Sequence, residues 1–178
     1  LVKEFELTVK KRIGKLSKGM MSMVTIIVAL ASGADITLLD EPVAGLDVVM
    51  RERFYALLLE NYSETGRTFV ISTHIIEEAA NIFEEVIILN RGKLLLKENT
   101  EDLVASFALV SGKAEDVDAL TAGLECHHAE KVGRSKTVSV RTRPGDCLAD
   151  RAAGYAVDIQ PMNLQKVFVA LCGEEVSE

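Results

Sequence analysis

Apolar and polar positions divide the chain into short apolar runs that alternate with segments of helical period. Residues 20–31 are almost wholly apolar and lie between Ser17 and Gly33. This predicts a helix with Ser17 as its N-cap and Gly33 as its stop. Ile36-Thr37-Leu38-Leu39 is shorter and runs into Asp40-Glu41-Pro42. It predicts a strand over 35–39, buried on both faces, that stops near Glu41 because Pro42 has no N–H to give a ladder. Met50, Phe54, Leu57 and Leu58 mark one face of a helix over 48–60, closed by Gly66. Thr68-Phe69-Val70-Ile71-Ser72 predicts a second buried strand ending at Thr73-His74. A helix over 75–83 carries Glu77 and Glu78. Residues 86–89 form a third strand, and Asn90-Arg91-Gly92-Lys93 a hairpin turn into a partner strand at 94–97.

The pattern changes near residue 99. Thr100-Glu101-Asp102 opens a short helix, with Thr100 as its expected cap. Beyond it the expected order is strand 107–111, helix 115–122, strands 124–130 and 136–142, helix 146–152, strand 155–159 and helix 162–171. Leu164, Val167, Phe168 and Leu171 give the last helix its apolar stripe. That order suits a small α+β ferredoxin-like sandwich. The expected division is therefore 1–98, a linker at 99–106, an accessory domain at 107–173 and a tail at 174–178.

Composition narrows the function classes. With 178 residues, 48% of them hydrophobic, the chain can bury a core. A net charge of −7 opposes nucleic-acid binding, which needs a basic surface. Cys126, Cys147 and Cys172 are odd in number and lack metal spacing, which suits reduced thiols in a cytosolic protein. No apolar run reaches the roughly 20 residues of a membrane span, and no signal-peptide pattern is present. The chain opens at Leu1 rather than methionine, which leads us to expect a cut or a processed chain. Lys10, Lys11, Arg12, Lys15 and Lys18 make a basic stretch that reads first as a solvated face and second as an approach for phosphate. His127 and His128 beside Cys126 suggest metal only weakly, since neighbours on a strand face opposite ways.

The chemistry gathers at the strand ending in Asp40-Glu41. Two adjacent acids at the carboxyl end of a strand point different ways, so they can hold different roles, and open α/β sheets collect ligands at that end. The start of the helix after Ser17 offers free N–H groups and a positive dipole end to an anion. Each feature has a plain structural reading when taken alone: a turn for Asp40-Glu41, a helix cap for Ser17 and Asp47, a strand-end histidine for His74.

Together they have a fixed order: Leu16-Ser17-Lys18-Gly19-Met20, then Leu38-Leu39-Asp40-Glu41-Pro42, then Ala44-Gly45-Leu46-Asp47, then Ser72-Thr73-His74. That order resembles the second half of an ATP-binding-cassette ATPase, the nucleotide-binding subunit of ABC transporters. The likeness is firm over residues 1–98 and loose beyond. Asn163-Leu164-Gln165-Lys166-Val167-Phe168 and the Lys-Gly-Met form of the signature are similar to cassettes of bacterial exporters. The resemblance implies a partial P-loop NTPase sheet of ABC type, with ATP and Mg²⁺ as cofactors. It implies Asp40 as the Walker B acid on the magnesium side, Glu41 as the residue that polarises the attacking water, and His74 as the switch histidine on the γ-phosphate. Asp47 matches the D-loop acid at a dimer interface. Ser17, Lys18, Gly19 and Met20 match the signature that caps a nucleotide on the other subunit. The implied partners are a second cassette subunit and a membrane-spanning permease, with no nucleic acid and no insertion into the membrane. The implied place is cytoplasmic, on the inner face of the cell membrane.

The sequence departs from that pattern. Lys18 and Met20 stand where glycine and glutamine are commonest, and an arginine common just inside the helix is missing from Met21-Ser22-Met23-Val24. No G-x-x-x-x-G-K-[ST] occurs; Gly14-Lys15, Gly92-Lys93 and Gly112-Lys113 are followed by leucine or alanine. The expectation is a chain that binds ATP weakly or not at all by itself, does not turn it over, and self-associates or repacks because of unpaired sheet edges. Two other readings stand beside this one: a cassette ATPase without a transport role, and a non-catalytic regulatory module working through 107–172.

Overall fold

The computed structural model describes residues 1, 2, 4, 5, 7, 12–143 and 145–173. Lys10 and Lys11 of the basic stretch, and the tail at 174–178, lie outside the described residues; Arg12, Lys15 and Lys18 are exposed. The chain gathers into two compact units, Leu1–Ile82 and Phe83–Glu178.

In the first unit a 3-10 turn (Ile13–Lys15) precedes α1 (Lys18–Ala31), β1 (Ile36–Asp40), α2 (Val48–Thr65), β2 (Thr68–Ser72) and α3 (Ile76–Ala79). Ser17 caps α1 by accepting the N–H of Met20 at 3.2 Å. Asp47 caps α2, with Oδ1 accepting from Met50 at 3.0 Å, and Gly66 ends α2 at φ +65. Helix α2 runs five residues past the expected stop at Glu60, because no breaker intervenes before Gly66. Helix α3 covers four residues rather than 75–83.

Strands β1 and β2 pair in parallel, with Leu38 opposite Val70 and Asp40 opposite Ser72. The expectation that both are buried on two faces is overturned. Thr37 and Leu39 are buried, whereas Ile36 and Leu38 are 64% and 74% exposed, and no residue of β2 is fully buried. The sheet holds only these two strands among the described residues, and one face of β1 is covered while the other is bare. The buried side draws on Ile26 and Leu30 of α1, Val43 and Leu46 of the following loop, and Phe54, Tyr55 and Leu58 of α2. Arg67 ties the ends of the helices together. Its guanidinium donates to the carbonyls of Leu30 (3.1 Å) and Ala34 (3.5 Å) and to Asn61 Oδ1, and lies 5.3 Å from the ring centroid of Phe69. A buried cation there satisfies carbonyls that the end of α1 leaves open.

The second unit opens with an antiparallel hairpin, β3 (Glu85–Asn90) and β4 (Lys93–Asn99). Its turn places Arg91 and Gly92 at φ 50 and 75, the left-handed pair that a two-residue hairpin needs. The hairpin groups with the second unit, so the division falls ahead of the linker expected at 99–106. Helix α4 (Thr100–Ala105) is capped by Asn99, whose Oδ1 accepts from Glu101 and Asp102; the expected cap, Thr100, is the first helical residue. There follow β5 (Phe107–Lys113), α5 (Ala114–Thr121), β6 (Glu125–Val132), β7 (Ser135–Arg141), α6 (Leu148–Arg151), β8 (Val157–Pro161) and α7 (Leu164–Cys172). The four strands lie in the order β6-β7-β5-β8, every neighbouring pair antiparallel. Val110, Val138 and Val140 of the sheet pack with Val117 and Leu120 of α5 and Leu148 of α6.

Candidate functional site

The carboxyl ends of β1 and β2 carry the chemistry. Asp40 is the last residue of β1, and its Oδ1 accepts a hydrogen bond from the hydroxyl of Ser72, its register partner. Glu41 leaves the strand with φ 45, a left-handed conformation that costs a side-chain-bearing residue about 1–3 kcal/mol. Its N–H still donates to Ser72 O at 2.9 Å. That twist swings its carboxylate away from Asp40 and onto His74. Glu41 Oε1 accepts the backbone N–H of His74 at 3.1 Å and lies 2.8 Å from His74 Nδ1. Glu41 Oε2 is buried with no partner among the described residues. The His74 ring stays open to solvent. Asp40, Glu41 and His74 are thus brought together, and the two acids do point different ways.

The signature segment sits beside them. Gly19 approaches the loop after β1 so closely that a Cβ there would fall 2.6 Å from Gly45 O. Gly45 takes φ +82, and the Lys18 side chain lies over it. Ser22 Oγ fastens the same loop by donating to Ala44 O at 2.9 Å. Between α1 and β1 a cleft of ≈ 220 Å³ is lined by Lys18, Met21, Ser22, Leu38, Asp40 and Glu41. Ser17 and Asp47 each spend a side-chain oxygen on a helix cap.

Four residues at the site carried no signal as site residues. Ser72 could have been found only from the parallel register that sets it opposite Asp40. Ser22 and Arg51 lie in ordinary helical positions. Arg51 donates to Leu46 O and to Glu78 Oε1, each at 3.0 Å. Tyr55, one turn along α2 from Arg51, is buried, and its hydroxyl has no partner among the described residues. Burial, with Glu78 and Glu41 adding negative potential, pushes that hydroxyl up to about 12.

No cluster of three or more His, Cys, Asp or Glu able to hold a metal occurs among the described residues. His127 is half-buried, 5.2 Å from the ring centroid of Phe107, at an irregularity of β6 between Cys126 and Ala129, and His128 is exposed. Cys126, Cys147 and Cys172 are free thiols; burial raises the pKa of Cys172.

A family model described as "AAA domain, putative AbiEii toxin, Type IV TA system" matches residues 8–80. The taurine import ATP-binding protein TauB of Jannaschia sp. (strain CCS1) is 39% identical over 80 residues, 45% of this chain and 30% of the relative. The Nod factor export ATP-binding protein I of Rhizobium etli is 27% identical across 97% of this chain and 56% of its own length. Among solved structures, the dimeric bacterial ABC transporter cassette MJ0796 matches with a TM-score of 0.51 and 32% identity, over 56% of this chain and 44% of that one. This chain is a relative of the ABC-type ATPases. The match spans 30% of the length of the taurine import protein and 56% of that of the Nod factor export protein. The match to the Nod factor protein continues through the second unit.

Proposed function

We propose that the chain is the signature and hydrolysis part of an ATP-hydrolysing subunit of an ABC transporter. The observation that carries this reading is the convergence of Glu41 and His74 beside Asp40, next to the capped start of α1. Asp40, held by Ser72, is a hard oxygen donor that would hold a magnesium ion through its water shell; when bound, that ion neutralises phosphate charge. Glu41 Oε2 is a buried acceptor with nothing in the described chain to satisfy it, which suits a carboxylate that takes a hydrogen bond from an attacking water. With His74 Nδ1–H donating to Glu41, Nε2 donates to a phosphate oxygen only when the ring is an imidazolium. Ser17, Lys18, Gly19 and Met20 supply an anion-facing helix start for a nucleotide on a second subunit, and Asp47 lies at that interface.

In this reading the partners are a second copy and a membrane-spanning subunit, and the protein works at the inner face of the membrane as part of an exporter. The near-complete alignment with a Nod factor export protein and the closing segment 163–168 support export. No helix among the described residues is long and apolar enough to cross a membrane. Residues 107–173, whose strands lie antiparallel in the order β8-β5-β7-β6, serve as a ferredoxin-like accessory domain.

The chain contains no phosphate-cradling G-x-x-x-x-G-K-[ST], so we expect it to turn over no ATP unaided. ATPase assays on the purified chain, and on the chain joined to a segment carrying that motif, test both halves of the proposal. The joined form should hydrolyse ATP with Mg²⁺ and lose at least about 100-fold with Glu41→Gln. Hydrolysis by the chain alone that Glu41→Gln abolishes would sink the dependence on a second part. A joined form indifferent to Glu41→Gln would sink the site.

A further inference from the structure

We propose that Arg51 is the positioning residue of the Glu41–His74 pair, one guanidinium fixing both the loop that follows Glu41 and the helix that follows His74. Leu46 lies five residues after Glu41, and Glu78 four after His74. Arg51 reaches both at 3.0 Å, Nε to Leu46 O and Nη1 to Glu78 Oε1.

Three observations set this bridge apart from an ordinary surface ion pair, which contributes little. The side chains of Arg51 and Glu78 are only 24% and 31% exposed, and the second bond goes to a main-chain carbonyl. Helix α3 is one turn long and its N-cap residue, Ile75, makes no side-chain cap bond, so the Thr73 hydroxyl that accepts the Ile75 N–H, the burial of Ala79 and the bridge to Glu78 all bear on it. Glu41 is kept at φ 45, a conformation that persists only where its surroundings over-determine it. Its N–H and carboxylate bond to Ser72 and His74 on the β2 side, its carbonyl accepts the Ala44 N–H at 3.1 Å within the loop, and Arg51 ties the far end of that loop, at Leu46, to the helix after His74. Glu78 and Glu41 both raise the pKa of the Tyr55 hydroxyl, which places the bridge and the pair in one neighbourhood.

The chemical role of the pair rests on the function proposed above; the positioning does not. The test therefore contains no nucleotide. Amide hydrogen exchange by NMR reads the His74 N–H, whose acceptor is Glu41, against amides of the β1–β2 ladder. Arg51→Gln should speed exchange at His74 by about tenfold or more while the ladder changes little. Arg51→Lys, which keeps the charge but cannot reach both partners at once, should recover part of the protection. Glu78→Gln should reproduce the local effect, and it serves in place of Arg51→Gln if that variant does not fold. Unchanged exchange at His74, or an equal rise at every amide, overturns the proposal. The second result would mark Arg51 as a plain stabilising contact.

Discussion

Two of the sheets in this chain, the β1-β2 pair and the four-stranded sheet, draw on similar apolar residues and come to opposite ends. In the second unit Val110, Val138 and Val140 are fully covered by helices that the same stretch of chain supplies. In the first, Leu38 and Ile36 lie on a bare face although three of the five residues of their strand are apolar. Strand composition says how much surface could be buried; the helices within reach decide how much is. The difference also separates chemistry from packing. The four-stranded sheet carries Cys126, His127 and His128 along β6 but no cluster of three or more possible metal ligands among the described residues, while the half-covered one ends in Asp40, Glu41 and, just beyond, His74. Sites tend to sit where the local structure is least self-sufficient.

Substitution measures that contrast directly. Leu120→Ala in the closed core should cost about 2–5 kcal/mol of stability, seen as faster exchange throughout β5 and β7. A cost under about 1 kcal/mol would show that this core is loose. The first unit should instead show its tension with pH. Tyr55 ionises near pH 12 in the fold rather than near 10, so the folded state retains a proton that the unfolded chain gives up. Stability should therefore be intact below pH 10 and fall as pH rises from there toward about 12. Tyr55→Phe should remove that fall in alkaline unfolding curves and delete the latest phenol in a spectroscopic titration. The smallest effect belongs to the bare face. Leu38→Ala should change stability by no more than about 0.5 kcal/mol, whereas a loss near 2 would mean that the face is covered in solution.

The elements were legible because caps and breakers mark them. Ser17, Asp47, Gly66 and the Arg91-Gly92 turn sit where local chemistry demands them, and each bounds an element as expected. Burial was less legible. An apolar run such as Ile36-Thr37-Leu38-Leu39 reads the same whether one face or two will be covered, because coverage is contributed by distant chain. The order of motifs led to Asp40, Glu41 and His74, and the fold brings these together. Arg51, Ser22 and Ser72 escaped because their importance lies in what they touch. Arg51 joins Leu46 to Glu78 across 32 residues, and nothing in the intervening sequence announces it. The cap of α4 was misplaced by one residue, since Asn99 and Thr100 are both good caps and only the backbone turn at Asn99 distinguishes them.

The left-handed backbone at Glu41 carries a consequence for how such chains change over time. Glycine or asparagine would sit at φ 45 more comfortably than glutamate. Position 41 is thus a place where thermodynamic ease and chemical use pull apart, and mutation alone would drift toward the easier residue. A lineage relieved of its chemistry should surrender this glutamate early while its helix caps persist. The residue at this one position then serves as a record of whether descendants of the chain are still at work.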